Sequence, residues 1–226
     1  ALACLGEIYC EEMEYSKAIK YLDKAIELDQ SIHKAYWRRA ECRREIKDFK
    51  GALSDSSKAY EIDPEAIYPS LIIEIASDHY HLGEYEKAVA LLDEEIDDSG
   101  DYFDEDLYIQ RGRYKKAGGD VEGANSDLML ALTEVNKKIS ESDEFEESSM
   151  SNRAEIKELM DDFEGAISDY KELMELGFSH WKRIYLCKSG KCKKALGDLK
   201  AACEDWKQSA ELKFEEAIEL LKEHCE

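Results

Sequence analysis

Six alanines recur at nearly constant intervals along this chain of 226 residues. They are Ala18, Ala52, Ala88, Ala124, Ala166 and Ala202, and the intervals between them are 34, 36, 36, 42 and 36 residues. A period of this length is typical of a repeat array, in which each unit packs on its neighbours. The spacing therefore predicts one elongated domain built from similar units.

Two further positions keep the same register. A small residue stands twelve positions before each alanine, namely Gly6, Ala40, Ala76, Gly112, Ala154 and Gly190. A larger apolar residue stands three positions before each alanine, namely Tyr15, Phe49, Tyr85, Val121, Phe163 and Leu199. Small residues allow two helix backbones to approach closely, and the larger residue fills the space at the turn. Each unit is therefore predicted to be a helix A, a tight turn and a helix B.

The charge balance excludes some classes of partner. The chain has 31 basic and 53 acidic residues, a formal net charge of -22. A surplus of this size argues against general affinity for nucleic acid or for an anionic membrane. No apolar run approaches the ~20 residues needed to cross a bilayer. We therefore expect neither nucleic-acid binding nor membrane insertion.

Seven cysteines are scattered through the predicted helices: Cys4, Cys10, Cys42, Cys187, Cys192, Cys203 and Cys225. An odd number within helices is not the pattern of a small disulfide-built secreted domain. We therefore expect reduced thiols and a cytoplasmic location. The chain begins inside its first repeat, so we also expect that sequence is missing ahead of Ala1.

Three segments carry a family resemblance: LGEYEKAVALL, KALGDLKAACEDWKQSAEL and KGALSDSSKAYEIDP. With six copies in phase, the chain resembles the tetratricopeptide repeat (TPR) family over nearly its whole length. One departure is Ser56, which stands where the second repeat should carry a large residue, so we expect less regular packing there.

The resemblance implies an all-α fold, a right-handed superhelix (solenoid) of six helix pairs followed by a C-terminal capping helix. The implied repeats cover approximately residues 1–32, 33–66, 69–102, 105–140, 149–178 and 180–213, with the capping helix at 214–225. The acidic insertion at 136–149 favours an exposed helix extension followed by a loop. The capping helix is predicted from the apolar stripe formed by Phe214, Ala217, Ile218 and Leu221.

Aligning the six copies also predicts ionic pairs. The copies with an arginine just before the small residue of helix A carry an aspartate three residues after the alanine of helix B. The pairs are Arg39 with Asp55, Arg111 with Asp127, and Arg153 with Asp169. The first and third copies carry apolar residues at both positions. We therefore expect the two positions to touch within a repeat, as structural pairs.

The basic residues are concentrated on the helices that, by the family resemblance, line the concave groove. The candidate ligand-binding residues there are Lys34, Trp37, Arg38, Arg44, Ile109, Arg113, Lys116, Lys191 and Lys194. Trp37 and Ile109 occupy equivalent positions and are expected to offer apolar contacts. A basic and aromatic groove suits an acidic or extended peptide. The alternative is that these charges simply balance the acidic helices beside them.

Residues with catalytic or metal-binding spacing are lacking. The five histidines share no motif with an acid or a nucleophile, and His79 and His81, two apart on a helix, point to different sides. Cys187 and Cys192 lack the spacing of a zinc-site pair and are expected to be packed thiols. We therefore expect no enzyme activity, no cofactor and no metal.

These observations favour a non-catalytic protein–protein interaction module, a scaffold or adaptor that binds a peptide or protein segment in its concave groove. The alternative is a structural spacer within a larger protein whose activity lies in missing N-terminal sequence. Exposed aromatic residues among the groove charges would favour binding, whereas an evenly polar surface would favour the spacer. The oligomeric state is left open.

Overall fold

The computed structural model describes residues 1–64, 70–98, 100, 103–141, 146–176 and 181–225. Within these residues the chain forms thirteen α-helices and no strand, which confirms the all-α class. The helices are α1 (Leu2–Glu11), α2 (Tyr15–Leu28), α3 (His33–Glu45), α4 (Phe49–Ile62), α5 (Ser70–His81), α6 (Tyr85–Asp98), α7 (Glu105–Ala117), α8 (Val121–Glu141), α9 (Glu147–Leu159), α10 (Phe163–Glu175), α11 (Lys182–Ala195), α12 (Leu199–Glu211) and α13 (Glu215–His224).

The helices form two compact units, Ala1–Val121 and Glu122–Glu226. In the first unit α1 packs on α2, α3 on α4 and α5 on α6, and each pair also contacts the next helix along the chain. In the second unit α9 packs on α10, α11 on α12, and α13 on α12. We call the odd-numbered helices α1–α11 the A helices and α2–α12 the B helices.

A single continuous domain of six repeats stays a prediction. The repeat boundaries predicted at residues 66, 69, 102, 178 and 180 lie outside the described residues.

The recurring alanines are core residues, and Gly6 and Gly190 of the register lie against the B helix of their own pair. The six recurring alanines are all buried. A Cβ atom added to Gly6 would lie 2.5 Å from Cγ of Leu22, and one added to Gly190 would overlap the indole of Trp206. At these two positions a large side chain of the B helix packs directly over the glycine, which is a physical reason for the small residue there.

Every A–B turn contains one residue in the left-handed backbone region, five positions before the recurring alanine. These residues are Met13, Lys47, Gly83, Gly119, Asp161 and Gly197, with φ between 60° and 91°. The next residue immediately precedes the B helix, and Asp48, Asp162 and Asp198 at this position accept a hydrogen bond from the backbone N–H three residues on, at 3.0 Å. This is an N-terminal cap of the B helix.

Two local expectations can be compared with the second unit. Helix α8 runs to Glu141, which confirms the helix extension after residue 136, while the loop expected at 142–145 lies outside the described residues. Helix α13 buries Ala217 against Trp206, and Phe214 and Leu221 pack beside them. The apolar stripe thus covers the last helix pair, as a capping helix does.

The expectation that all cysteines are reduced thiols is wrong. Cys10 on α1 is disulfide-bonded to Cys42 on α3, with Cα atoms 6.2 Å apart. Cys203 on α12 is bonded to Cys225 at the end of α13, with Cα atoms 5.9 Å apart. The partners are separated by 32 and 22 residues, and helix packing alone brings each pair together.

Candidate binding surface

Salt bridges join successive A helices in the first unit. Glu7 on α1 accepts hydrogen bonds from Lys34 Nζ at 2.7 Å and from Arg38 Nε at 3.2 Å, both on α3. The hydrogen bond from Lys34 holds the pKa of Glu7 below its usual range, against the opposing effect of burial, with Arg38 adding to it. Three of the predicted groove positions, residues 34, 37 and 38, lie on this α1–α3 surface.

Trp37 and Arg38 form an aromatic and cationic pair on α3. The Arg38 guanidinium lies 4.6 Å from the centroid of the Trp37 ring, a cation–π distance. Trp37 Nε1 donates to Glu74 on α5 at 3.2 Å, and Arg38 Nη1 donates to Glu41 at 2.8 Å. The Lys34 side chain beside them is 55% exposed. We call Lys34, Trp37 and Arg38 the α3 patch.

Arg44 has a different position from the α3 patch. It donates to Asp78 on α5 at 2.8 Å, to Glu74 at 2.8 Å and to Ser56 Oγ on α4 at 2.5 Å. Asp78 is 0% exposed, and burial raises its pKa even though the guanidinium of Arg44 opposes that effect. Arg44 therefore links two helix pairs inside the fold and presents little surface to a ligand.

The small side chain of Ser56 explains why Arg44 lies inside the fold. The equivalent position holds Leu22, Leu92, Leu128, Tyr170 or Trp206 in the other copies, all buried. Because the Ser56 side chain is too small to fill that volume, the Arg44 side chain occupies it. There the guanidinium donates hydrogen bonds to Ser56 Oγ and to the carboxylate of Asp78 on α5. Irregular packing was expected at this junction, and the structure has an ionic contact there in place of a large apolar side chain.

Helix α7 carries three more of the predicted groove residues. Ile109 is 2% exposed, so it belongs to the core and not to a ligand-contacting surface. Arg113 and Lys116 are half-buried. Ile109 and Trp37 occupy equivalent positions in the sequence, but only Trp37 keeps accessible surface.

The predicted basic residues of α11 contact the last helix. Lys191 Nζ donates to Glu216 at 2.6 Å, and Lys194 Nζ lies 2.7 Å from His224 Nε2. Both partners lie on α13. The α11 charges and the α3 patch lie in different units, and each is described as a separate surface.

Sequence reasoning missed an acidic and aromatic cleft in the second unit. The cleft has a volume of about 610 Å³ and is lined by Glu146, Glu147, Trp181 and Tyr185 among others. Tyr185 donates to Glu147 at 2.7 Å, and burial together with this carboxylate raises the pKa of Tyr185. Trp181 is 43% exposed. The aromatic residue at the start of α11 was the available signal.

Two of the three predicted structural pairs join the A and B helices of one repeat. Arg39 Nη2 is 2.6 Å from Asp55 Oδ1, and Arg153 Nη2 is 2.8 Å from Asp169 Oδ1. The third arginine, Arg111, donates to Asp93 on α6 at 2.7 Å. Asp127 is buried in the second unit, and its pairing with Arg111 stays a prediction.

In the sixth copy the aspartate at the equivalent position is Asp205. It accepts hydrogen bonds from Ser189 Oγ at 2.7 Å and from Lys193 Nζ at 2.6 Å. Lys193 stands three residues after the small residue, where Arg43 and Lys157 also stand and contact Asp55 and Asp169.

Groups with chemical reactivity are dispersed in the described structure. His79 Nδ1 lies 2.5 Å from Glu84 Oε2, while His81 stacks on Phe49, so the two histidines diverge. Burial raises the pKa of the Cys187 and Cys192 thiols to about 12. Among the described residues, no group of histidine, cysteine and carboxylate side chains is arranged to hold a metal ion. None of the described helices has both the length and the apolar character to cross a membrane.

Comparison with known proteins identifies the repeat. The family model described as tetratricopeptide repeat matches residues 5–32. A tetratricopeptide repeat protein from Parabacteroides merdae shares 17% identity and a TM-score of 0.75, over 98% of this chain and 82% of that chain. The type IV pilus biogenesis factor PilW shares 19% identity and a TM-score of 0.62, over 97% and 96%.

A chain of the Cut9–Hcn1 hetero-tetramer of the APC/C is also similar. It shares 16% identity and a TM-score of 0.63, over all of this chain and 42% of that one. At these identities the structural matches establish the fold.

Proposed function

We propose that this chain, whose residues 5–32 match the tetratricopeptide repeat model and whose fold is similar to that of a tetratricopeptide repeat protein, is a non-catalytic interaction module, a scaffold or adaptor, that binds a peptide or protein segment on its A-helix surface. Proteins with this fold generally bind other proteins, and one similar chain comes from the Cut9–Hcn1 hetero-tetramer. The α3 patch is the observation that carries the proposal. It combines a half-buried tryptophan with two cations on the surface of one helix.

The proposed ligand is an acidic segment with an apolar side chain. Arg38 and Lys34 share the single carboxylate of Glu7, so a ligand carboxylate can take up one of these donors without leaving Glu7 unpaired. Trp37 would pack against the apolar part of the ligand, because its ring is partly accessible and its N–H is already bonded to Glu74. Aromatic residues and arginine are the residue types that contribute most to protein interfaces.

The proposal does not extend to every groove residue expected from the sequence. Arg44 and Ile109 are excluded because they lie inside the fold. Arg113 and Lys116 in the first unit and Lys191 and Lys194 in the second stay proposed contacts of lower priority. The predicted cytoplasmic location also stays a proposal, and the two disulfides count against it, because disulfides persist mainly in oxidising compartments.

A structural spacer within a larger protein is the second candidate. The observation that favours it is the internal pairing of the A-helix charges, since Lys34, Arg38, Lys188 and Lys191 all contact glutamates of neighbouring A helices or of α13. A surface whose charges are mutually satisfied needs no external ligand.

Affinity capture with matched charge reversals separates the two candidates. The test variant is Lys34→Glu/Arg38→Glu, and the control is Lys20→Glu/Lys24→Glu, which places the same change of charge on exposed positions of α2. We expect a partner identified by mass spectrometry to bind the parent and the control but not the test variant. Capture that is equal for all three would exclude the α3 patch, and the absence of any specific partner would favour the spacer.

A further inference from the structure

A pocket of about 480 Å³ in the first unit is lined by residues of the B helices α4 and α6 and of the A helix α5. Its lining includes Ile75 and Leu91, with Tyr60 and Glu94 near the opening. A volume in this range, mostly apolar walls and a few polar groups are the usual features of a ligand-binding pocket.

The same junction one repeat earlier is filled by an ionic network. Arg39 on α3 donates to Asp55 on α4 and also to Asp23 on α2, at 2.6 Å each. Arg43 on α3 donates to Asp55 at 2.8 Å. These four side chains occupy the groove between the B helices α2 and α4.

All four residues of the ionic network are replaced by other residue types at the junction of α4, α5 and α6. Counting from the small residue of helix A and from the recurring alanines, Arg39, Arg43, Asp55 and Asp23 correspond to Ile75, His79, Leu91 and Ser57. All four replacements line the pocket. The pocket therefore lies where the ionic network lies in the preceding junction, and shorter or uncharged side chains have left the space open.

The walls and the opening indicate what could enter. The two aspartates that would accept a guanidinium are replaced by Ser57 and Leu91, so the interior suits an apolar group. Lys87, the lysine in the pocket lining, is bonded to Glu84 at 3.1 Å. The exposed carboxylate of Glu94 has no ion pair within the described part of the chain, and it would attract a cation.

We infer that this pocket, which we call the Leu91 pocket, is a second docking site that takes an aromatic or large aliphatic side chain of a protein partner, with a lysine or arginine of the same segment beside Glu94. The site is independent of the α3 patch, because its lining contains none of the three patch residues and because it favours the opposite sign of ligand charge. Insertion of the apolar group removes its surface from water, which supplies the affinity. The Glu94 carboxylate supplies the preference for a basic neighbour.

Three short peptides test the chemistry directly: acetyl-Gly-Phe-Lys-Lys-Gly-amide, its Phe-to-Ala analogue and its Lys-to-Glu analogue. Binding is followed by the methyl NMR signals of Ile72, Ile75 and Leu91 during titration of the whole chain. We expect saturable shifts with the first peptide, and affinities lower by about tenfold or more for the alanine analogue. Equal shifts with all three peptides, or none with any, would overturn the inference.

A variant that closes the pocket provides the matched control. Ser57→Asp/Ile75→Arg/Leu91→Asp installs the residue types of the preceding junction, so it is expected to keep the helix content of the parent while losing the peptide-induced shift of Ile72, the reporter methyl group that it retains. Undiminished binding by this variant would contradict the proposed location. Glu94→Gln, a surface change, should weaken binding of the lysine peptide and leave that of the glutamate analogue unchanged, and an unchanged affinity for the lysine peptide would contradict the role of Glu94.

Two further measurements separate other outcomes. The Lys34→Glu/Arg38→Glu variant should bind the lysine peptide as the parent does, so the Leu91 pocket can stand even if the α3 patch binds nothing. Pocket methyl signals that shift with protein concentration alone would identify a second copy of the chain as the occupant and would overturn the proposal of a distinct basic partner.

Discussion

Arg39 and Asp55 form a two-point ion pair, with Arg39 Nε 2.7 Å from Oδ2 and Nη2 2.6 Å from Oδ1 of the aspartate. The same arginine reaches back to Asp23 on the preceding B helix. Burial acts to lower the pKa of Arg39, and the hydrogen bonds and charges of Asp55 and Asp23 outweigh that effect and raise it. The arginine therefore joins two helix pairs as well as the two helices of its own pair.

Replacing Arg39 should destabilise the fold. Asp55 is 3% exposed, so Arg39→Ala leaves a buried carboxylate with only Arg43 as its cationic partner. We expect a loss of about 2 kcal/mol in the free energy of unfolding, measured by urea denaturation. Lys50→Ala, at an exposed position of α4, is the control and should lose no more than about 0.5 kcal/mol. Equal losses in the two variants would show that the ion pair does not contribute.

Replacing Lys47 by glycine should stabilise the fold. Lys47 has φ of 63°, while Gly83, Gly119 and Gly197 occupy the same position in other turns. A side chain in this backbone region costs about 1 kcal/mol, and glycine removes that cost. We expect Lys47→Gly to raise the thermal midpoint and Gly83→Ala to lower it, measured by circular dichroism. A lower midpoint for Lys47→Gly would mean that the lysine side chain makes a stabilising contact.

The pairing of Glu7 should give a pH-dependent contribution to stability. Because the pKa of Glu7 is held below its usual value in the folded state, its contribution is present above about pH 4.5 and is lost as the pH falls through the folded-state pKa. We expect Glu7→Gln to be less stable than the parent at pH 7 by about 1 kcal/mol or less, and the difference to disappear as the pH falls through the folded-state pKa of Glu7. Urea denaturation of both proteins across this pH range checks the prediction, and a stability difference that stays constant with pH would contradict it.

The number of cysteines that react with a thiol reagent should rise when the protein is unfolded and rise again when it is also reduced. In the oxidised native protein a thiol reagent at pH 8 should modify only Cys4, which is exposed, because Cys187 and Cys192 are buried and their pKa values are raised to about 12. Unfolding without a reductant should reveal three thiols, and unfolding with a reductant should reveal all seven. Seven thiols in the unfolded, unreduced chain would exclude both disulfides.

The sequence was sufficient for the repeating parts of the structure. The helix pairs follow from the periodic small residues, because even the Cβ atom of an alanine at Gly6 or Gly190 would collide with Leu22 or Trp206 on the partner helix. The aspartates that contact Arg39 and Arg153 were also expected, because the alignment of the copies showed charged and apolar residues replacing one another in pairs. Constraints of this kind act within one repeat. They can therefore be recognised by aligning the several copies of the repeat that a single chain contains.

The tertiary structure decided what depends on neighbouring repeats. Arg44 is a basic residue of an A helix and was therefore predicted to face the groove. Its side chain lies in the interior instead, because it fits the space beside Ser56 and is paired with a carboxylate of α5. The partners of the two disulfides are 32 and 22 residues apart in the sequence and meet only when neighbouring helices pack. The Leu91 pocket likewise forms only where α4, α5 and α6 meet. Whether a side chain is buried, bonded or accessible depends on volumes and charges contributed by the next helices, which the periodicity of one repeat does not specify.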